Sequence, residues 1–286
     1  MPSRSRPETQ TQQDKRRLRS RRLGITSDSA QNHKGGVTKT TSTANLGACL
    51  AEAGRRVLMV DGDPQANLSE AFGWTEDLPG LRLEDLLERP EVAVQHRPAV
   101  ALRVDTWAQV SWRDQLRLIP CTDALADVAA DLPSVVGEGW EQRLAHVITP
   151  LRNLFDLILL DTPPGLGSLS GMAMLAADGL LIPARPADLD VRGAGKLYDL
   201  VETTIPDLRI LGVLLAASDQ RWRVVRDASV QMDDEQMRTL PVGVPHAVRV
   251  ASAPRFHAPT VVLEPDCRVS HAYRQIAAHL LEELER

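Results

Sequence analysis

Residues Lys34–Thr41 read KGGVTKTT, and the rest of the chain is best read outward from them. Gly35 and Gly36 allow the backbone to turn so that successive N–H groups converge on an anion. Lys39 then supplies a cation for the outer phosphates of a nucleotide, and Thr40 a hydroxyl for Mg2+. Val37, Thr38 and Thr41 complete the loop. Lys34 stands just before the glycine pair, and a loop that already carries Lys39 has no need of a second cation on the same phosphate, so Lys34 requires a separate task. Thr38 is the one departure, because a β-branched residue is costly wherever positive φ is required.

The pattern after the loop is that of alternating helices and strands. Ala44, Leu46, Ala48, Leu50 and Ala51 mark a helix over 40–53 whose N-terminus faces the loop, where the helix dipole favours an anion, and Gly54 ends it. Val57–Val60 is a compact apolar strand, and Asp61-Gly62-Asp63-Pro64-Gln65 follows at its C-terminal end, where ligands sit in open α/β sheets. The apolar strand Asp156–Leu160 delivers Asp161 into TPPGLG, the place for an acid that orders a magnesium-bound water. Pro163 and Pro164 stiffen the loop after it, and Gly165 and Gly167 loosen it. Further strands are expected at 116–120, 179–183 and 210–216. Helices are expected at 81–87, 125–132, 140–152, 192–203 and about 222–240, with 133–139 as a loop and 95–112 without a clean period. This rhythm predicts an α/β fold, doubly wound, with a mostly parallel sheet flanked by helices.

With these residues in place, KGG-x-x-K-[ST] resembles the deviant Walker A signature of the ParA/MinD group of P-loop ATPases, closest to the Soj-like ParA partition proteins. DGDPQ resembles that group's D-x-D-P-Q motif, Asp161-Thr162-Pro163-Pro164 its D-x-P-P form, and VPHAVRVASAP at 244–254 its IPRNVRLSEAP segment, so the likeness runs from about His33 to the C-terminus. The resemblance implies ATP and Mg2+ as cofactors, slow partner-stimulated hydrolysis, and an ATP-sandwiched homodimer in which Lys34 reaches the other subunit's phosphates. By the same likeness Lys39 and Asp63 are catalytic, Asp63 positioning the attacking water, while Thr40, Asp61 and Asp161 serve the metal. Nonspecific DNA binding and a ParB-like centromere-binding partner are also implied. Arg249, Arg255, Arg268 and Arg274 lie in the region that builds the DNA-facing surface in that group, the first three being the expected DNA-binding residues, but they are not contiguous, and His246, Ala247 and Asp266 thin that patch. Iron-protein relatives bind a cluster through paired cysteines, and this chain offers no such pairs.

Composition sets the bounds. The chain has 286 residues, 43% hydrophobic and 25% charged, with no apolar run of membrane-spanning length, and its arginine-bearing start lacks the apolar core of a secretory signal. A cytoplasmic, nucleoid-associated protein is expected. Cys49, Cys121 and Cys267 are scattered, which argues for reduced, packed thiols. Residues 1–23 hold eight basic and two acidic side chains, a net of +6 that leaves -11 on the remainder of a chain totalling -5. They read as a disordered basic arm, able to bind nucleic acid, before an ATPase domain at 24–286. Gly24–His33, GITSDSAQNH, places Asp28, Ser29 and Gln31 where a buried strand before the loop should be apolar. Two readings stand: a short strained strand, or an upstream sequence that does not reflect the authentic start. The alternative function is a MinD-like or cargo-positioning ATPase acting at a membrane or on the nucleoid, or a nucleotide-binding module without turnover. The terminal HLLEELER argues against a lipid-binding helix, because Glu282, Glu283 and Glu285 would be repelled by anionic lipid.

Overall fold

The computed structural model describes residues 21–26, 39–78, 80–95, 102–103, 110–186, 188–216, 237–245 and 256–285. Among these residues seven strands form one sheet: β1 Arg21–Ile25, β2 Val57–Asp61, β3 Leu102–Arg103, β4 Leu116–Ile119, β5 Leu157–Asp161, β6 Gly179–Ala184 and β7 Arg209–Leu215, in the spatial order β3-β4-β2-β5-β1-β6-β7. All pairings are parallel except β3 with β4. The helices are α1 Lys39–Glu52, α2 Asn67–Ala71, α3 Leu83–Glu88, α4 Pro90–Gln95, α5 Ala124–Val136, α6 Arg143–Ile148, α7 Ser168–Ala176, α8 Asp188–Thr204, α9 Thr260–Leu263 and α10 Arg268–Glu285. This is the doubly wound, mostly parallel α/β sheet that the alternation predicts.

Parallel strands buried on both faces should read as continuous apolar runs. VLMVD and LILLD do, and every residue of β2 and β5 is buried. The period of two then sorts the side chains: Val57 and Met59 join Leu157 and Leu159 beneath α1 and α10, whereas Leu58, Val60, Ile158 and Leu160 pack with α3 to α7 on the other face. Gly54, at φ 80°, ends α1 as expected, its N–H bonded to Ala51 O at 2.9 Å.

The first strand lies three residues upstream of its expected place. Leu23 and Ile25 are its buried apolar residues, so Arg21–Leu23 belong to the centre of the sheet and not to the arm. The arginines are accommodated because β1 enters from the sheet's N-terminal edge. There Arg22 holds Asp178 through its backbone N–H at 2.9 Å and its guanidinium at 2.7 and 3.1 Å. Arg56, just before β2, grips Asp156 in the same way, at 2.9, 3.3 and 2.7 Å. Two bidentate pairs thus tie the entries of β1 to β6 and of β2 to β5. Asp28, Ser29 and Gln31 lie outside the described residues.

Three expectations need correction. Helix α5 continues through Pro133 to Val136, where a loop was expected; the proline sits in the last turn, and Gly137, at φ 74°, closes it by donating to Pro133 O at 3.2 Å. The expected helix at 140–152 is divided into two 3-10 turns flanking α6, with Pro150 in the second. Met237–Leu240, expected to end a helix, runs extended beside β7, with Val213 N donating to Arg238 O and Leu240 N to Val213 O at 2.7 and 2.9 Å. The acidic residues Asp233, Asp234 and Glu235 lie outside the described residues.

Candidate nucleotide site

The site forms where β1 connects through α1 to β2 on one side while β5 connects past β1 to β6 on the other, so that a crevice opens beyond their C-terminal ends. In parallel register, Asp61 on β2 and Asp161 on β5 face each other directly. The first turn of α1 completes the arrangement with Lys39 and Thr40, both buried. Thr40 Oγ1 donates to Asp161 Oδ2 at 2.8 Å, and Thr43, one turn on, donates to Asp161 Oδ1 at 2.9 Å. Asp61 Oδ2 accepts from both Ser69 N and Ser69 Oγ at 2.7 Å, while its Oδ1 accepts from Asp63 N at 3.3 Å. Asp63 Oδ1 accepts from Gln65 N at 3.0 Å, and Asp63 O accepts from Cys121 Sγ at 3.1 Å. Gly62 N donates to Asp161 O at 2.9 Å, which brings the two strand ends into contact.

The electrostatics follow from this burial. Asp161 is pushed up to about 8, first by loss of water and then by the neighbouring charge of Asp61, against the opposing hydrogen bonds of Thr40 and Thr43 and the charge of Lys39. Asp61 is pushed up to about 6 by burial and by Asp63, against its bonds from Ser69 and Asp63 N. Two buried acids side by side call for positive charge beyond that of Lys39, and a hard divalent cation beside Thr40 would supply it. The donors fit Mg2+, which takes one or two carboxylates, a hydroxyl, waters and phosphate oxygens rather than a protein cage. Among the described residues no group of three or more His, Cys, Asp or Glu forms such a cage.

The structure therefore brings together Lys39, Thr40, Asp61, Asp63 and Asp161 as the motifs predict, with Thr41 half-buried on the same turn. Lys34, Gly35, Gly36, Val37 and Thr38 lie outside the described residues, as do Arg249 and Arg255. Arg268 is exposed at the first position of α10. Thr43 and Ser69 were missed. Thr43 was discoverable, because it follows Thr40 by three residues and so shares its helix face. Ser69 was not, since only the folded turn returns it to Asp61.

The other sequence features resolve as follows. All three cysteines are free, Cys49 and Cys121 buried and Cys267 partly so. Glu283, one of the three terminal acids weighed against lipid binding, is buried and bonded by Arg209 at 2.6 Å and Arg238 at 2.9 Å. No described helix is long and apolar enough to cross a membrane.

A parallel α/β sheet with a lysine-threonine helix start facing two strand-end acids defines the P-loop nucleotide-binding class. The AAA_31 family model, an AAA domain, matches residues 28–210. Sporulation initiation inhibitor protein Soj of Bacillus subtilis (strain 168) is 30% identical over 254 residues, covering 86% of this chain and 94% of Soj. Chromosome partitioning protein ParA of Myxococcus xanthus (strain DK1622) is 32% identical over 258 residues, covering 88% of this chain and 86% of that one. Among solved structures, the cell division ATPase MinD of Pyrococcus furiosus aligns with a TM-score of 0.73 at 27% identity, over 92% of this chain and 99% of that one. Cobyrinic acid a,c-diamide synthase from Mycobacterium smegmatis, with bound ADP and magnesium, aligns with a TM-score of 0.73 at 28% identity, over 93% and 96%. The chain belongs to the family of ParA/Soj-type partition ATPases within the P-loop class.

Proposed function

We propose that this protein hydrolyses ATP to ADP and phosphate as a nucleotide-switched dimer that moves plasmid or chromosome DNA. The observation that carries the reading is the hydrogen bond that Thr40, on the first turn of α1, donates to Asp161, with Asp61 on the paired strand end beside it and Asp63 bonded to Asp61. In it, residues 34–41 wrap the phosphates, and Lys39 takes up charge on the outer ones. Thr40, Asp61 and Asp161 would hold Mg2+, which would supply positive charge to offset that of the phosphates. Asp63 orients the attacking water. Lys34 acts across the dimer, so two sites become competent only together. Arg249, Arg255 and Arg268 hold DNA by phosphate contacts without reading sequence, and a ParB-like partner accelerates hydrolysis and releases the dimer from the nucleoid.

A membrane-positioning reading has weaker support. The apolar face of α10, including Tyr273, Ile276, Leu280 and Leu284, is already buried in the core. That leaves this helix no apolar face for a lipid interface. The test is the Asp63→Ala variant. Removing a group needed more in the transition state than in binding should leave ATP affinity within about twofold while turnover falls roughly 100-fold or more. Nucleotide titration and phosphate release measure the two quantities. Loss of ATP binding instead would make Asp63 a structural residue.

A further inference from the structure

We propose that Ser69 is a positioning residue for this reaction: it fixes the orientation of Asp61 and thereby the response of the site to Mg2+. The inference rests on the ATPase reading above. Ser69 is completely buried and places both its backbone N–H and its hydroxyl on one oxygen, Asp61 Oδ2, at 2.7 Å each. A carboxylate offers about four lone-pair sites, and this two-point grip occupies those of one oxygen while leaving capacity on Oδ1.

The hydroxyl's polarity is set by the next strand. Cys121 N, just beyond β4, donates to Ser69 Oγ at 3.3 Å, so the serine proton is free to point at Asp61. The chain goes to some length to bring Ser69 back. Ala66, at φ 52°, takes a left-handed conformation that a non-glycine residue adopts at a cost, and its N–H bonds Asp63 O at 2.8 Å. Residues 61–69 thus form a closed turn that leaves Asp61 and returns to it, with Asp63 inside. Groups that orient a metal-side carboxylate in this way typically change metal affinity or activity by about 10- to 100-fold when removed.

The test uses the full chain and three variants, Ser69→Ala, Ser69→Cys and Ser69→Thr, with a non-hydrolysable ATP analogue titrated in EDTA and in Mg2+. In EDTA all variants should bind as wild type. In Mg2+ the metal-dependent gain in affinity should fall roughly 10-fold in the Ala and Cys variants, with a matching fall in kcat, and the Thr variant should recover both. Adding Ser69→Ala to Asp61→Asn should change neither quantity further. The Cys variant keeps the size of the side chain and covers the case in which Ala fails to fold. Wild-type Mg2+ dependence in Ala and Cys would overturn the proposal. So would a Thr variant as defective as Ala, with thermal stability falling in parallel in all three, because that pattern belongs to packing alone. If wild type itself binds no nucleotide, the ATPase reading falls and takes this proposal with it.

Discussion

A methyl group added at Gly62 would sit 2.6 Å from the carbonyl oxygen of Asp161, a backbone atom that has no room to move aside without shifting β5. Glycine is needed here for close approach of two strand ends, since Gly62 N also bonds that oxygen. Gly62→Ala should therefore cost about 1–3 kcal/mol in stability and displace Asp63, lowering turnover with it. Thermal unfolding and phosphate release check this, and a variant with unchanged values of both would remove the close approach from the account. The acids and the lysine of this site were legible in the sequence, because D-G-D-P-Q, D-T-P-P and K-T are local strings at strand and helix ends. Ser69 and Cys121 were not, because their roles depend on contacts made only after the turn at 61–69 closes against β4. Thr43 lay between the two: helical spacing from Thr40 placed it, but nothing local named Asp161 as its partner.

At the scale of elements, the strands β2 and β5 were legible because a strand buried on both faces must be apolar throughout. β1 was misplaced for a related reason. Two of its five residues are arginines, Arg21 exposed and Arg22 paired with Asp178, 156 positions away, and local periodicity cannot register so distant a partner. That pair gives a pH prediction. Burial pushes the Asp178 carboxyl up, but the hydrogen bonds and charge of Arg22, with the charge of Arg152, outweigh it and hold the group below the usual carboxylate range. A carboxylate with a depressed folded pKa contributes stability above its unfolded pKa of roughly 3.9, and that contribution is lost as pH falls through the folded value. Asp178→Asn should thus reduce stability by about 1–2 kcal/mol at pH 7, with the difference from wild type closing only below about pH 4. Denaturant unfolding across pH 3–8 tests it; a difference that stays constant into acid would mean that charge at Asp178 is not what holds β1.

For the whole molecule, the location of β1 alters how the two sources of positive charge must be separated. A deletion of residues 1–23 would remove three residues of a central strand, so the arm is to be tested by deleting residues 1–20, where six basic side chains stand against two acidic. That deletion should leave ATP-dependent DNA binding largely intact, whereas replacing Arg249, Arg255 and Arg268 together should weaken binding to every sequence alike and flatten its salt dependence, each lost phosphate contact releasing about one counterion fewer. Electrophoretic mobility shifts at several salt concentrations would distinguish them, and affinity unaffected by ATP and by the arginine changes would contradict the C-terminal surface. The central claim is that ATP joins two copies through Lys34, and it is tested most directly by sedimentation velocity of the Asp63→Ala variant in Mg2+ and ATP. The account predicts a stable species of twice the monomer mass, absent with ADP, and its disappearance when Lys34→Ala is added while ATP remains bound. A dimer that persists without Lys34, or a monomer throughout despite bound ATP, would contradict it.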